Sequence, residues 1–242
     1  MKLNKSLQDC KHPYLVGVSV LTIFIVLTYC FLPVYFETND AGRMMFQMAG
    51  YFSGEVETVT NFIGLPLCTM IVGLYSMMPS LPWFSFALCF FFIVGCYISG
   101  VSLIRILKKH QLSVIVSILS MIAMYGICFI YPMTHMHIYY ACAIMGLSVA
   151  VMVIAIDIEN DTWKHYGLYA IIALANLFVC FNLGFSASIC VVGFVGIAVL
   201  YQCIRWLGIS WKKMLVFGMC SAIIAGLGLG TYLVSTSMKG ET

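Results

Sequence analysis

Apolar residues run along this chain in long unbroken stretches, and polar residues collect in short clusters where those stretches end. Seven runs, at about 14–36, 83–106, 112–132, 138–156, 165–184, 188–206 and 212–234, are each long enough to cross roughly 30 Å of hydrocarbon at about 1.5 Å per helical residue. An eighth, 62–78, is broken near its start by Gly64 and Pro66. The dozen or so apolar residues left there suit an interfacial or re-entrant helix. No internal repeat, linker or low-complexity tract divides the chain, so it reads as one transmembrane helical domain over residues 1–242.

Composition confirms the class. Hydrophobic residues make up 62% of the chain, charged residues only 9%, and the mean hydropathy is +1.03. Those values exclude a soluble globular domain and predict an all-α polytopic membrane protein. The formal charge of +3 comes from small basic groups at run ends and gives no surface for nucleic acid. Of the eleven cysteines, most lie inside apolar runs (Cys30, Cys68, Cys89, Cys128, Cys180, Cys190), without a CxxC pair. They read as small apolar fillers, not as a disulfide framework or metal set. Residues 1–11 are basic, and the run behind them is long and lacks a small-residue cleavage site, so it reads as an uncleaved first span.

Positive charge decides the topology. With a cytoplasmic N-terminus and a crossing 62–78, only four of the twelve Lys and Arg lie inside: Lys2, Lys5, Lys11 and Lys239. If 62–78 lies in the interface, ten lie inside, because Arg105, Lys108, Lys109, Lys164, Arg205, Lys212 and Lys213 change sides and Lys239 moves out. The expectation is therefore about seven spans in the cell membrane, with the N-terminus cytoplasmic and the C-terminus external. The first external loop, 37–82, would carry a juxtamembrane helix, and the turns at 131–137 and 182–187 would face outward with it.

That first loop holds a cluster of acids next to a candidate reaction site at a membrane face. It carries Asn39 and Asp40, Met44 and Met45, Gly50, Phe52, Gly54, Phe62 and Ile63, Leu74 and Tyr75, Pro79, then Trp83 and Phe84. In order and spacing the set resembles the first external loop of bacterial membrane glycosyltransferases of the GT-C type. In that family the loop packs a juxtamembrane helix on the outer face. The resemblance implies transfer of a sugar from a polyprenyl-phosphate carrier to a cell-envelope glycan or lipid acceptor. Asp40 would be the catalytic carboxylate of the motif, acting as general base on the acceptor hydroxyl or helping to hold a cation. Arg43, one turn later, would contact the lipid phosphate or pair with Asp40. The implied partners are membrane lipid, the polyprenyl-phosphate-linked sugar and a second membrane subunit; a divalent cation is the candidate cofactor.

The chain departs from the family pattern at several positions. Ala41 stands where the motif has its second acid, Val56 where a Pro is common, and Cys68 where a small residue is usual. Asn182 to Ser186 occupy a turn where relatives often have an Arg, and Thr134 to His137 one where many have another acid. Family enzymes are also usually longer. Besides Asp40, the candidate substrate contacts are Asn39, Arg43, Glu55, Glu57, His135 and His137, with no metal ligands assigned. Each has a plainer reading: Asp40 as a helix-capping acid, Glu55 and Glu57 as solvated turn residues, the histidines as interfacial polar groups. Asp157, Glu159 and Asp161 have too few ligands for a calcium loop and read as a solvated turn, with Asp161 capping the next helix. Asn176 and Asn182 read as interhelical hydrogen-bonding groups. The non-enzymatic alternative is a membrane protein that keeps this fold as a binding or partner subunit. A transporter would want paired intramembrane charges or inverted repeats, and neither is evident.

Overall fold

The computed structural model describes residues 12–56, 58, 63–157, 161 and 163–206, with Gly226 and Gly230. The run at 212–234 (those two glycines apart), Glu57 and Glu159 lie outside the described residues. Nine helices appear among the described residues: α1 (Pro13–Phe31), α2 (Asn39–Met48), α3 (Leu65–Met77), α4 (Trp83–Lys109), α5 (Val114–Cys128), α6 (Ile130–Thr134), α7 (Ile138–Ala155), α8 (Trp163–Leu183) and α9 (Phe185–Trp206). The two-residue strands β1 (Tyr35–Phe36) and β2 (His135–Met136) pair in parallel.

Five helices, α1, α4, α7, α8 and α9, are long and apolar enough to cross a membrane. The chain is an all-α, multi-pass membrane protein. α3 and α5, at 13 and 15 residues, are apolar but shorter. The expected 112–132 run is not one helix: α5 ends at Cys128 and α6 begins at Ile130. Pro132 explains the break, because it has no N–H to donate to the carbonyl of Cys128. α1 likewise stops at Phe31 instead of reaching 36. Leu32 is extended, at φ −104° and ψ 139°, as expected for a residue that precedes a proline, here Pro33.

α7 is the axis of the bundle. In its membrane-length window 67% of residues are buried, against 22% in α1 and α9. Its neighbours are α4, α8 and α9, and they come close where one side chain is missing. A Cβ on Gly95 of α4 would lie 2.5 Å from Cγ2 of Ile144, and one on Gly146 would lie 2.4 Å from both Cγ atoms of Val191 in α9. In lipid, where helices gain nothing by hiding from water, such close backbone approach is a main source of association. Polar groups inside the bundle pair across helices: Thr28 with Tyr125 at 2.6 Å, and Asn176 with Ser148 at 3.4 Å. Asn182 instead donates to Phe178 O of its own helix.

The chain reverses direction at two well-tied ends. Phe36, just past α1, stacks on Phe84 in the first turn of α4 with centroids 6.1 Å apart. The end of α1 and the start of α4 thus lie at one end of the bundle, the Glu37 end. At the other end Arg105 of α4 pairs with Asp161, and Lys109 with Asp157 at 3.0 Å. This corrects the reading of 157–161 as a solvated turn: the side chain of Asp161 is only 3% exposed. It also accepts the backbone N–H of Asp157 at 2.9 Å, while Arg105 lies over the ring of Tyr169, 5.2 Å away. Burial of a carboxylate demands such partners. Buried Gln202 of α9 donates its amide to Val153 O at 2.7 Å and Ile154 O at 2.8 Å. These carbonyls lie in the last turn of α7, where backbone donors run short; Val153 O also accepts the N–H of Ile156 at 3.3 Å.

Candidate functional site

At the Glu37 end, three connections distant in sequence are joined. β1 follows Pro33, whose ring cannot continue a helix, and pairs with β2 in the register Tyr35 to His135 and Phe36 to Met136. The N–H of Glu37 extends the pairing to Met136 O at 3.2 Å. The connection after α8 joins through Gly64, whose N–H donates to Asn182 O at 2.6 Å. Gly184, after α8, lies so close to Tyr139 that a Cβ there would be 2.9 Å from the ring.

The pairing of β1 with β2 brings a carboxylate into a group of aromatic rings. Tyr131 Oη donates to Oε1 of Glu37 at 3.0 Å, and Tyr140 Oη donates to the same oxygen at 2.9 Å. Among the described residues, Oε2 has no hydrogen-bond partner. The phenol of Tyr140 holds the Glu37 carboxyl below its ordinary pKa, partial desolvation works against this, and the Tyr131 phenol and the nearby His137 and His135 add to the lowering. Tyr131 stacks on His135 with centroids 4.0 Å apart at 15°, and its edge meets Tyr140 at 5.7 Å. Tyr35 Oη bonds Nε2 of His135, and Nδ1 of the same ring faces Thr134 Oγ1 at 2.9 Å. His137 caps α7, accepting the N–H of Tyr139 at 3.1 Å. Tyr35 and Tyr131 are each still 48% exposed.

Asn39 and Asp40 open α2, both exposed, with Asp40 in the first turn where the helix dipole favours an acid. α2 is amphipathic: Ala41, Met44 and Met48 are buried, while Arg43 is exposed on the other face. Among the described residues Asp40 and Arg43 form no ion pair, with each other or with any other group. Glu55 is exposed in the turn after α2, where Ser53 Oγ donates to its backbone carbonyl at 2.9 Å. Glu57 lies outside the described residues. Among the described residues no three His, Cys, Asp or Glu side chains gather as metal ligands.

Of the residues singled out from the sequence, then, His135 and His137 come together, and they do so around Glu37. No hydrogen bond or ion pair among the described residues ties Asp40, Arg43 or Glu55 to that group. Sequence reasoning missed Glu37, Tyr35, Tyr131 and Tyr140. The available signal was Tyr131, Tyr139 and Tyr140 flanking the two histidines, but nothing local marked Glu37 as their acceptor.

The fold and site define a multi-pass helical membrane protein with an aromatic, histidine-bearing carboxylate cluster at one end. No family model, curated protein or solved structure matches the chain.

Proposed function

We propose that this chain is a GT-C-like membrane glycosyltransferase, or the core of one, that moves a sugar from a polyprenyl-phosphate donor to an envelope glycan or lipid acceptor. The observation that carries the reading is Asp40: an exposed carboxylate, unpaired among the described residues, in the first turn of an amphipathic helix. α3 would be the juxtamembrane helix, since 32–82 begins and ends at one end of the bundle and α3 spans only 13 residues. The positive-inside rule puts the Arg105 end in the cytoplasm and the Glu37 end outside.

In the reaction Asp40 accepts the acceptor's hydroxyl proton as the oxygen attacks the anomeric carbon. The bond from that carbon to the phosphate oxygen breaks, and polyprenyl phosphate leaves with the electron pair. Arg43, one turn along the exposed face of α2, meets the growing phosphate charge. The test is restoration of surface-glycan assembly in a host lacking the gene. Wild type is expected to restore it and Asp40→Asn to fail at equal membrane abundance. Equal restoration by the two would end the catalytic role of Asp40, and a null strain with unchanged surface glycan would end the transferase reading.

A further inference from the structure

Tyrosines at a membrane rim are ordinary, because their rings suit the headgroup layer. An aromatic belt, however, does not require two phenols to converge on one carboxylate oxygen. Here Tyr131 and Tyr140 both donate to Oε1 of Glu37. They fix the carboxylate from one side and leave Oε2 without a partner among the described residues. The rings around it are held as well: His135 covers Tyr131 at 4.0 Å and is itself tied to Tyr35 and Thr134. The result is an oriented acceptor oxygen beside an exposed aromatic surface, built across two connections about a hundred residues apart.

We infer that Glu37, with Tyr131, Tyr140 and His135, forms a binding site for a pyranose ring of a water-soluble glycan. The open part of the Tyr131 ring would take the apolar C–H face of the sugar, and Oε2 of Glu37 would accept from one of its hydroxyls. The ligand must offer both surfaces at once, an apolar face and a hydroxyl donor at its rim, and a pyranose does. A quaternary ammonium would use the rings and the charge but would leave Oε2 without a donor, and it would lie beside His135 and His137. A phosphate would meet the Glu37 carboxylate, which stays ionised because two phenols already donate to it. The site therefore fits the acceptor and not the donor's phosphate. In that respect alone it rests on the transferase reading; binding itself does not depend on transfer.

The experiment is saturation-transfer NMR on the full chain in detergent micelles, irradiating aromatic protons. The probes are methyl β-glucopyranoside, methyl α-galactopyranoside and the methyl glycoside of N-acetylglucosamine. Wild type is expected to transfer saturation to the C–H protons of at least one of them. Tyr131→Phe keeps the ring and should retain the signal, while Tyr131→Leu should abolish it. Glu37→Gln should weaken binding about tenfold, the ordinary worth of one charge-assisted hydrogen bond. Size-exclusion behaviour and thermal unfolding confirm that each variant is folded. Three results would overturn the proposal: no transfer to any sugar from folded wild type, full transfer in folded Tyr131→Leu, or displacement of the sugar by choline or by geranyl phosphate. Sugar binding that survives Asp40→Asn while glycan assembly is lost supports both readings. Sugar binding with no glycan phenotype in the null strain supports the site and removes the transferase.

Discussion

Arg105→Leu tests how the loop between α7 and α8 is held. Its carboxylate partner Asp161 has a side chain 3% exposed, and that of Arg105 is 23% exposed. Removing one member of a buried pair leaves the other charge desolvated and costs about 3–5 kcal/mol. Partial exposure of Arg105 lets water take some of that load, and Asp161 keeps the N–H of Asp157. A loss of about 2 kcal/mol is the reasonable expectation. For a chain of this size that is a fall of about 4–8 °C in apparent midpoint at fixed scan rate. The protein supplies its own reporters, since Cys68, Cys96, Cys142 and Cys180 are buried and react with a thiol-activated fluorophore only as the bundle opens. The double variant Arg105→Leu with Asp161→Leu removes both charges and should recover much of the loss, because an apolar pair carries no desolvation penalty. An unchanged midpoint for Arg105→Leu, or a double variant worse than the two single losses together, would refute the reasoning.

Gln202→Leu should lower stability by about 1–3 kcal/mol by removing the side-chain donor to the carbonyls in the last turn of α7, and Gln202→Glu should do more damage by aiming carboxylate oxygens at Val153 O and Ile154 O; thermal unfolding of both variants ranks them, and equal midpoints would contradict the capping role. Glu37 gives a pH signature. Its folded pKa is depressed by the phenols of Tyr140 and Tyr131 and by His137 and His135, so the stability it adds is present above the unfolded carboxyl pKa of about 4.3 and is lost as pH falls through the folded value. The midpoint advantage of wild type over Glu37→Gln should accordingly be full at neutral pH and shrink in acid; an advantage that grows in acid would reverse the sign and refute the arrangement.

What could be read from the sequence follows from how far each constraint reaches. Hydrocarbon thickness acts on every residue of a run, so the runs that became α1, α4, α7, α8 and α9 were visible from apolar length alone. Pro132 and Pro33 carried equally local information about where helices stop, and giving them their full weight would have ended the 14–36 and 112–132 runs early. Pairing is not local. Asp157 and Asp161 looked like solvated turn acids because their partners, Lys109 and Arg105, lie some fifty residues earlier, with α5, α6 and α7 between them.

The same limit bears on which carboxylate at the Glu37 end matters most. Asp40 stands out in the sequence because its neighbours follow a familiar order, yet among the described residues no hydrogen bond or ion pair holds its side chain. Glu37 has no such context, but it is held by two phenols and supported by a parallel strand pair formed across a hundred residues. A base that must move a proton needs an oxygen not already taken by donors, and among the described residues none donates to the side chain of Asp40. A group that must hold a hydroxyl in one place needs the opposite, a charge fixed in direction and slow to protonate, which is the state of Glu37. On the proposed transferase reading Asp40 would move the proton and Glu37 would hold the acceptor, and the pH dependence of Glu37 and the complementation test of Asp40 should be separable in the same preparation of protein.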